Sequence, residues 1–147
     1  MIDRQNVIKQ LSEFFSIKEL VCSHVYNKYG NSSWDFLDTK FLHTLLIIRR
    51  DILSVPMICN NGSQTQRGLR CNMCNLVKQK TNLYLSAHIL GKAGDFTVVG
   101  MTAEEARNRI KSHAHLLPYC VRLERGVSWL HIDVRDQTGA ISKIFEF

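Results

Sequence analysis

The sequence predicts an α+β fold with N-terminal helices packed on a mostly antiparallel sheet. Three observations carry this. The first third of the chain places apolar residues at helical spacing behind capping residues. The remainder carries short alternating segments punctuated by Gly and Pro. One capped helix is inserted among those segments, and helices followed by strands are the α+β order. At 147 residues the chain suits one domain over 1–147, large enough to bury a real core.

The elements follow in order. Residues 3–12 set Val7, Ile8 and Leu11 on one helical face. Ser16 and Glu19 form a capping box, starting a helix with Ile17, Leu20 and Val21 inward that ends near Tyr29-Gly30-Asn31. Asp38 caps a longer helix whose Phe41, Leu42, Leu45, Ile48, Ile52 and Leu53 make one stripe, closed by Pro56. A short strand at Met57–Cys59 leads into the polar, Gly-containing loop 60–68, a type of segment that often carries function. A short helix over 72–80, a segment at Leu83–Leu85 and a strand at 94–99 come next. Thr102 and Glu105 are a second capping box, beginning a helix to about Leu116. Tyr119–Leu123 and Val127–Val134 alternate like strands around an Arg125-Gly126 turn, and Ile141–Phe147 reads as one more strand.

Composition narrows the function classes. Apolar residues are 45% and charged residues 22%, an ordinary globular balance. No apolar run approaches the roughly 18 residues a membrane span needs; Leu45–Ile48 is cut short by Arg49-Arg50. The N-terminus lacks the basic-then-apolar layout of a secretory signal, so the chain is expected to be cytoplasmic as synthesised. The formal net charge of +6 favours an anionic partner: nucleic acid, an acidic surface or a bacterial cell wall. The basic residues are scattered without interleaved aromatics, which argues against a nucleic-acid surface. Five cysteines, an odd count, make a poor disulfide framework and suit a reducing compartment. Cys71 and Cys74 have CxxC spacing but no second CxxC to complete a structural zinc site, so they read as two thiols near a helix start. His24 and His43 read as structural or exposed helix residues, and His113 and His115 as solvated helix-end residues.

The chemistry concentrates in Ser86-Ala-His88-Ile-Leu-Gly91-Lys-Ala-Gly94-Asp95 and, far downstream, Trp129-Leu-His131-Ile-Asp133. Two imidazoles and a carboxylate are a catalytic zinc donor set: three protein ligands leave a fourth position for water. Gly91 and Gly94 let the chain turn so that Asp95 comes beside His88. His131 and Asp133 share one strand face, where Asp133 can orient an imidazole. Each residue alone also suits an ordinary role, either histidine as a hydrogen-bonded strand or loop residue and Asp95 as a turn cap.

The string S-x-H-x-x-G-x-A-x-D with a distant W-x-H-x-D resembles the zinc D-Ala-D-Ala carboxypeptidase family of peptidoglycan peptidases, which shares its fold with the hedgehog signalling domain. Phe15–Cys22 resembles the family's N-terminal entry, Asp38–Pro56 its long helix, and Gln66–Cys71 the segment carrying its substrate arginine. The likeness covers about 14–135. It implies one Zn²⁺ held by His88, Asp95 and His131. It implies Arg70 as the arginine that steadies the scissile carbonyl or the substrate carboxylate, with Arg67 a second substrate-binding candidate and Ser86 a residue beside the metal that bonds substrate. Several members place the catalytic acid three positions before the last zinc histidine. Here that position is Ser128, which cannot act as a base, and Glu124 on the preceding strand is the nearest carboxylate. Its other reading is a surface ion pair with Arg122 or Arg125. The resemblance implies a monomeric hydrolase acting on peptidoglycan stem peptides, in the manner of a phage endolysin. A zinc-containing binding module without catalysis is the alternative.

Overall fold

A computed structural model of the protein describes residues 1–137 and 142–147. The chain is α+β. Helix α1 (Arg4–Leu11) is capped by Asp3, whose carboxylate accepts from the Gln5 and Asn6 amides. The Ser16–Glu19 capping box is present and opens α2 (Ile17–Leu20). The continuous helix expected from there to Tyr29 is instead broken. Val21 is extended at φ −129°, ψ 159°, and a separate helix α3 covers Ser23–Tyr29. The cause is tertiary. Leu69 runs alongside Val21 as a short parallel bridge, with the Cys22 amide donating to the Leu69 carbonyl at 2.9 Å and the Leu69 amide to the Leu20 carbonyl at 2.9 Å. Gly68 permits the approach, since a Cβ there would strike the Leu20 carbonyl.

A 3-10 helix (Gly30–Phe36) leads to α4 (Thr39–Ile47), capped by Asp38 and continued by a π-helical turn over Ile48–Leu53. The turn ends at Ser54, which is left-handed at φ 56°. Val55 precedes Pro56 and is disfavoured from continuing a helix. The stripe Phe41, Leu42, Leu45, Ile48, Ile52 and Leu53 is buried as expected. Helix α5 is only Asn75–Lys78, shorter than the 72–80 expected. Helix α6 (Ala103–Ser112) has its Thr102–Glu105 capping box and is followed by a 3-10 turn at Ala114–Leu116. Among the described residues no helix is long and apolar enough to cross a membrane.

The strands are β1 (Met57–Ile58), β2 (Ala93–Val98), β3 (Val121–Leu123), β4 (Leu130–Asp133) and β5 (Ile144–Glu146). They form a sheet in the order β1-β2-β4-β3-β5. Three pairings are antiparallel and β3–β5 is parallel. The last strand is thus shorter than the 141–147 expected, and Ile141 lies outside the described residues. One sheet face carries Phe96, Leu130, Ile132, Val121 and Leu123, all buried in a core shared with α1 and α4. The period of two puts Asp95, His131, Asp133 and Arg122 on the other face.

Gly91 fixes the turn that enters β2. Its φ is +68°, and a Cβ would land on the Phe36 carbonyl. Its own carbonyl accepts the Asp38 amide at 2.9 Å. Gly94, by contrast, lies within β2, paired with Ile132. Gly91→Ala is expected to lower unfolding free energy by about 2–4 kcal/mol, read by urea denaturation. A loss within the ordinary surface range would remove Gly91 from this role.

Candidate metal centre

The register of the two central strands builds the site. Asp95 on β2 is paired directly with His131 on β4, so both side chains leave the sheet side by side. His131 Nδ1 lies 2.7 Å from Asp95 Oδ1, and Nε2 lies 2.8 Å from Asp133 Oδ2. His88 arrives from the turn before β2. Its Nδ1 is 2.9 Å from the Gly68 carbonyl, and its Nε2 is 3.4 Å from Asp95 Oδ2. One ligand atom from each of His88, Asp95 and His131 lies within 4.8 Å of the others. All three are buried, and Asp133 is fully so at 0% exposure.

The hydrogen bonds set the tautomers. A carbonyl only accepts, so His88 Nδ1 carries the proton donated to Gly68. With a proton on Nε2 the ring faces Asp95 as a donor; without it, Nε2 and the carboxylate are two acceptors that a cation between them would satisfy. Asp133 accepts from His131 Nε2 and leaves Nδ1 toward Asp95, the carboxylate–histidine arrangement that orients a metal ligand. Asp133 is itself held by Arg122, through Nε at 2.9 Å and Nη2 at 3.0 Å, and by the Arg135 amide at 3.0 Å. The donor set and its burial therefore fit a divalent ion bound through His88 Nε2, Asp95 and His131 Nδ1.

Ionisation follows from the same contacts. Burial pushes the Asp95 carboxyl up, but hydrogen bonds from His131 and His88 outweigh it and hold the group far below the usual carboxylate range. Burial likewise opposes ionisation of Asp133, yet His131 and Arg122 bring it down to about 2. Burial pulls His131 down, but its bonds to Asp133 and Asp95 lift it to about 9. Without metal, His131 is thus held toward its imidazolium form between two carboxylates, and a bound ion would take the place of its Nδ1 proton.

A pH dependence follows for the metal-free protein. The raised His131 adds stability fully present below its ordinary 6.5 and lost as pH rises through about 9. The depressed Asp95 and Asp133 add stability present above their ordinary 3.8 and lost at lower pH. Urea titrations of chelator-treated protein are expected to show stability falling between pH 6.5 and 9, by at most about 1.4 kcal/mol per pH unit. A flat profile over that window would contradict the imidazolium.

A cleft of about 250 Å³ opens over these residues, bordered by Arg70, Tyr84, Ser86, Glu124, Trp129 and Phe147. Arg70 Nη2 sits 3.4 Å from Asp95 Oδ2 and its Nε donates to the Gln66 carbonyl at 2.6 Å. Its amide donates to the His88 carbonyl at 3.3 Å, lacing the two loops together. Ser86 Oγ accepts from the Ile89 amide at 3.4 Å and borders the cleft. Glu124 follows β3 on the same face as Arg122. Its backbone is held by the buried Arg107, whose Nη1 donates to the carbonyls of Glu124 at 3.2 Å and of Val127 and Trp129 at 3.3 Å. No ion pair joins Glu124 to Arg122 or Arg125 among the described residues; Arg122 is taken by Asp133 and Asp136.

Two residues stand elsewhere. Arg67 does not border the cleft: its Nη1 donates to the Cys59 carbonyl at 3.2 Å, Gln64 Oε1 at 3.1 Å and Thr97 Oγ1 at 3.0 Å, tying the 60–68 loop to β1 and β2. Only its backbone serves the site, its carbonyl accepting the Asp95 amide at 2.8 Å. Ser128 lies beside a different groove with Glu104 and Arg107.

Sequence reasoning also missed a second group placed to hold a metal: Cys22, His24, Cys71 and Cys74. The one-zinc expectation thus accounts for only one of the two groups. The overlooked signal was Cys22-x-His24, remote in sequence but brought to the CxxC by the Val21–Leu69 bridge.

The chain matches no protein-family model, no curated protein and no solved structure.

Proposed function

We propose that the protein is a zinc-dependent peptidase that hydrolyses bonds involving D-amino acids in the stem peptides of bacterial peptidoglycan. The observation that carries the hydrolase part is the convergence of His88, Asp95 and His131 beneath a cleft that also holds Glu124 and Arg70. Three protein ligands rather than four are the mark of a catalytic centre. The substrate class rests on the sequence resemblance to the zinc D-Ala-D-Ala peptidases, and the net charge of +6 suits an anionic wall.

When bound, zinc would supply Lewis acidity to a water and to the scissile carbonyl. Glu124 takes the proton of the attacking water and returns it to the leaving amine. Arg70 puts positive charge at the rim, where negative charge develops on the carbonyl oxygen. Asp133, braced by Arg122, keeps His131 in one tautomer. Trp129 and Tyr84 give the peptide apolar walls, and Ser86 offers a hydroxyl to its backbone.

The test is digestion of purified peptidoglycan by the zinc-loaded chain, with mass spectrometry of the released muropeptides. Products cut at a D-residue support the proposal and identify the bond. A second reading, a zinc-containing binding module without catalysis, is favoured by Ser128 in the place of the family's acid. A folded, zinc-loaded chain that binds peptidoglycan and leaves it intact would establish that reading instead.

A further inference from the structure

A second group of metal-type side chains meets beside Cys71, the residue that follows Arg70. Cys22 and His24 stand at the start of α3, and Cys71 and Cys74 flank the turn before α5. His24 Nδ1 is 3.6 Å from Cys71 Sγ and 3.9 Å from Cys74 Sγ, and the two sulfurs are 4.0 Å apart. One ligand atom from each of the four lies within 4.8 Å of the others. A tetrahedron with Zn–S of about 2.3 Å and Zn–N of about 2.0 Å has edges of about 3.5–3.8 Å, so three of the edges are nearly in place. The Met73 amide points at Cys71 Sγ from 3.4 Å, a donor suited to a thiolate. Cys22 and Cys74 are buried, Cys71 is half-buried and His24 forms the exposed side.

We propose that Cys22, His24, Cys71 and Cys74 form a second metal site, a closed four-ligand centre for zinc or another thiophilic divalent ion, whose role is structural. Four protein ligands leave no position for substrate, unlike the centre at His88. Three thiols release three protons on binding. His24 contributes neutral Nδ1, so the loaded site carries a net charge of −1. The site answers a need of the fold. Between β1 and β2 the chain has only the four-residue α5 as regular helix or strand, apart from short bridges. A clip from α3 to Cys71 shortens that excursion and anchors the residue next to Arg70. The inference does not depend on the peptidase reading, because both ions are counted without any activity measurement.

The experiment uses the full chain, purified under reducing conditions and loaded with zinc or cobalt. Elemental analysis is expected to give two zinc ions per chain in the wild type, and one each in His88→Ala and Cys71→Ser. The Co²⁺ form is expected to show an intense thiolate-to-cobalt charge-transfer band in the wild type and His88→Ala, lost in Cys71→Ser. Cys120→Ser, outside the cluster, should keep the band. A reduced wild-type chain without that band would overturn the proposal, and this result needs no variant to fold. So would an undiminished band in Cys71→Ser, or a Cys71–Cys74 disulfide that forms in place of the second zinc. Failure of the peptidase reading would appear elsewhere, as two bound ions with intact peptidoglycan.

Discussion

Glu124→Gln is expected to cut peptidoglycan hydrolysis by about 10²–10⁴-fold, the usual contribution of a positioned general acid–base, while bound zinc stays unchanged. The side chain borders the cleft, is not paired with a neighbouring arginine among the described residues, and is not one of the metal-facing groups. Its backbone is pinned through Arg107, so the substitution changes the headgroup without freeing the strand end. The amide keeps size and polarity and removes only the ability to take a proton. The checks are steady-state turnover on a stem-peptide substrate and zinc content of the same preparation. Retained turnover would remove Glu124 from the mechanism. Loss of zinc with loss of turnover would mean that its effect is on the metal centre.

Arg70→Ala is expected to reduce kcat by about 10²–10³-fold, the cost of losing one donor to a developing oxyanion. Zinc should again be retained, since Arg70 contacts Asp95 only at 3.4 Å and Asp95 keeps its shorter bond to His131. Arg70→Lys restores charge without the fork and should recover part of the rate. A variant that instead raises KM with kcat unchanged would place Arg70 on the substrate carboxylate. Equal loss of bound zinc would assign it to holding Asp95.

The sequence signals that succeeded were short-range ones. Capping residues Ser16, Asp38 and Thr102 sit where the helices begin. The alternation in β4 put His131 and Asp133 on one face, as the structure has them. Failures came where a distant strand or loop decided the outcome. Nothing local in Leu20-Val21-Cys22 announces that Leu69 will pull Val21 out of helix. The same blindness hid the Cys22/His24 half of the cysteine cluster. Arg67 and Arg70 are three residues apart and chemically alike, and only the fold sends one into a loop tether and the other to the cleft. Glu124 was reachable because a single turn separates it from β4, whereas Arg107, which anchors its backbone, carried no signal beyond a charged position on a helix.

The cross-strand pairing of Asp95 with His131 has a consequence for how the protein matures. Its donors come from residues 88, 95 and 131, so no contiguous stretch of nascent chain can hold the ion by itself. A slip of one position between β2 and β4 would turn one of the two donors into the apolar interior and part it from the other. An ion bound through these three residues would therefore load after sheet closure, and its uptake would report that the two central strands have zipped in the correct alignment.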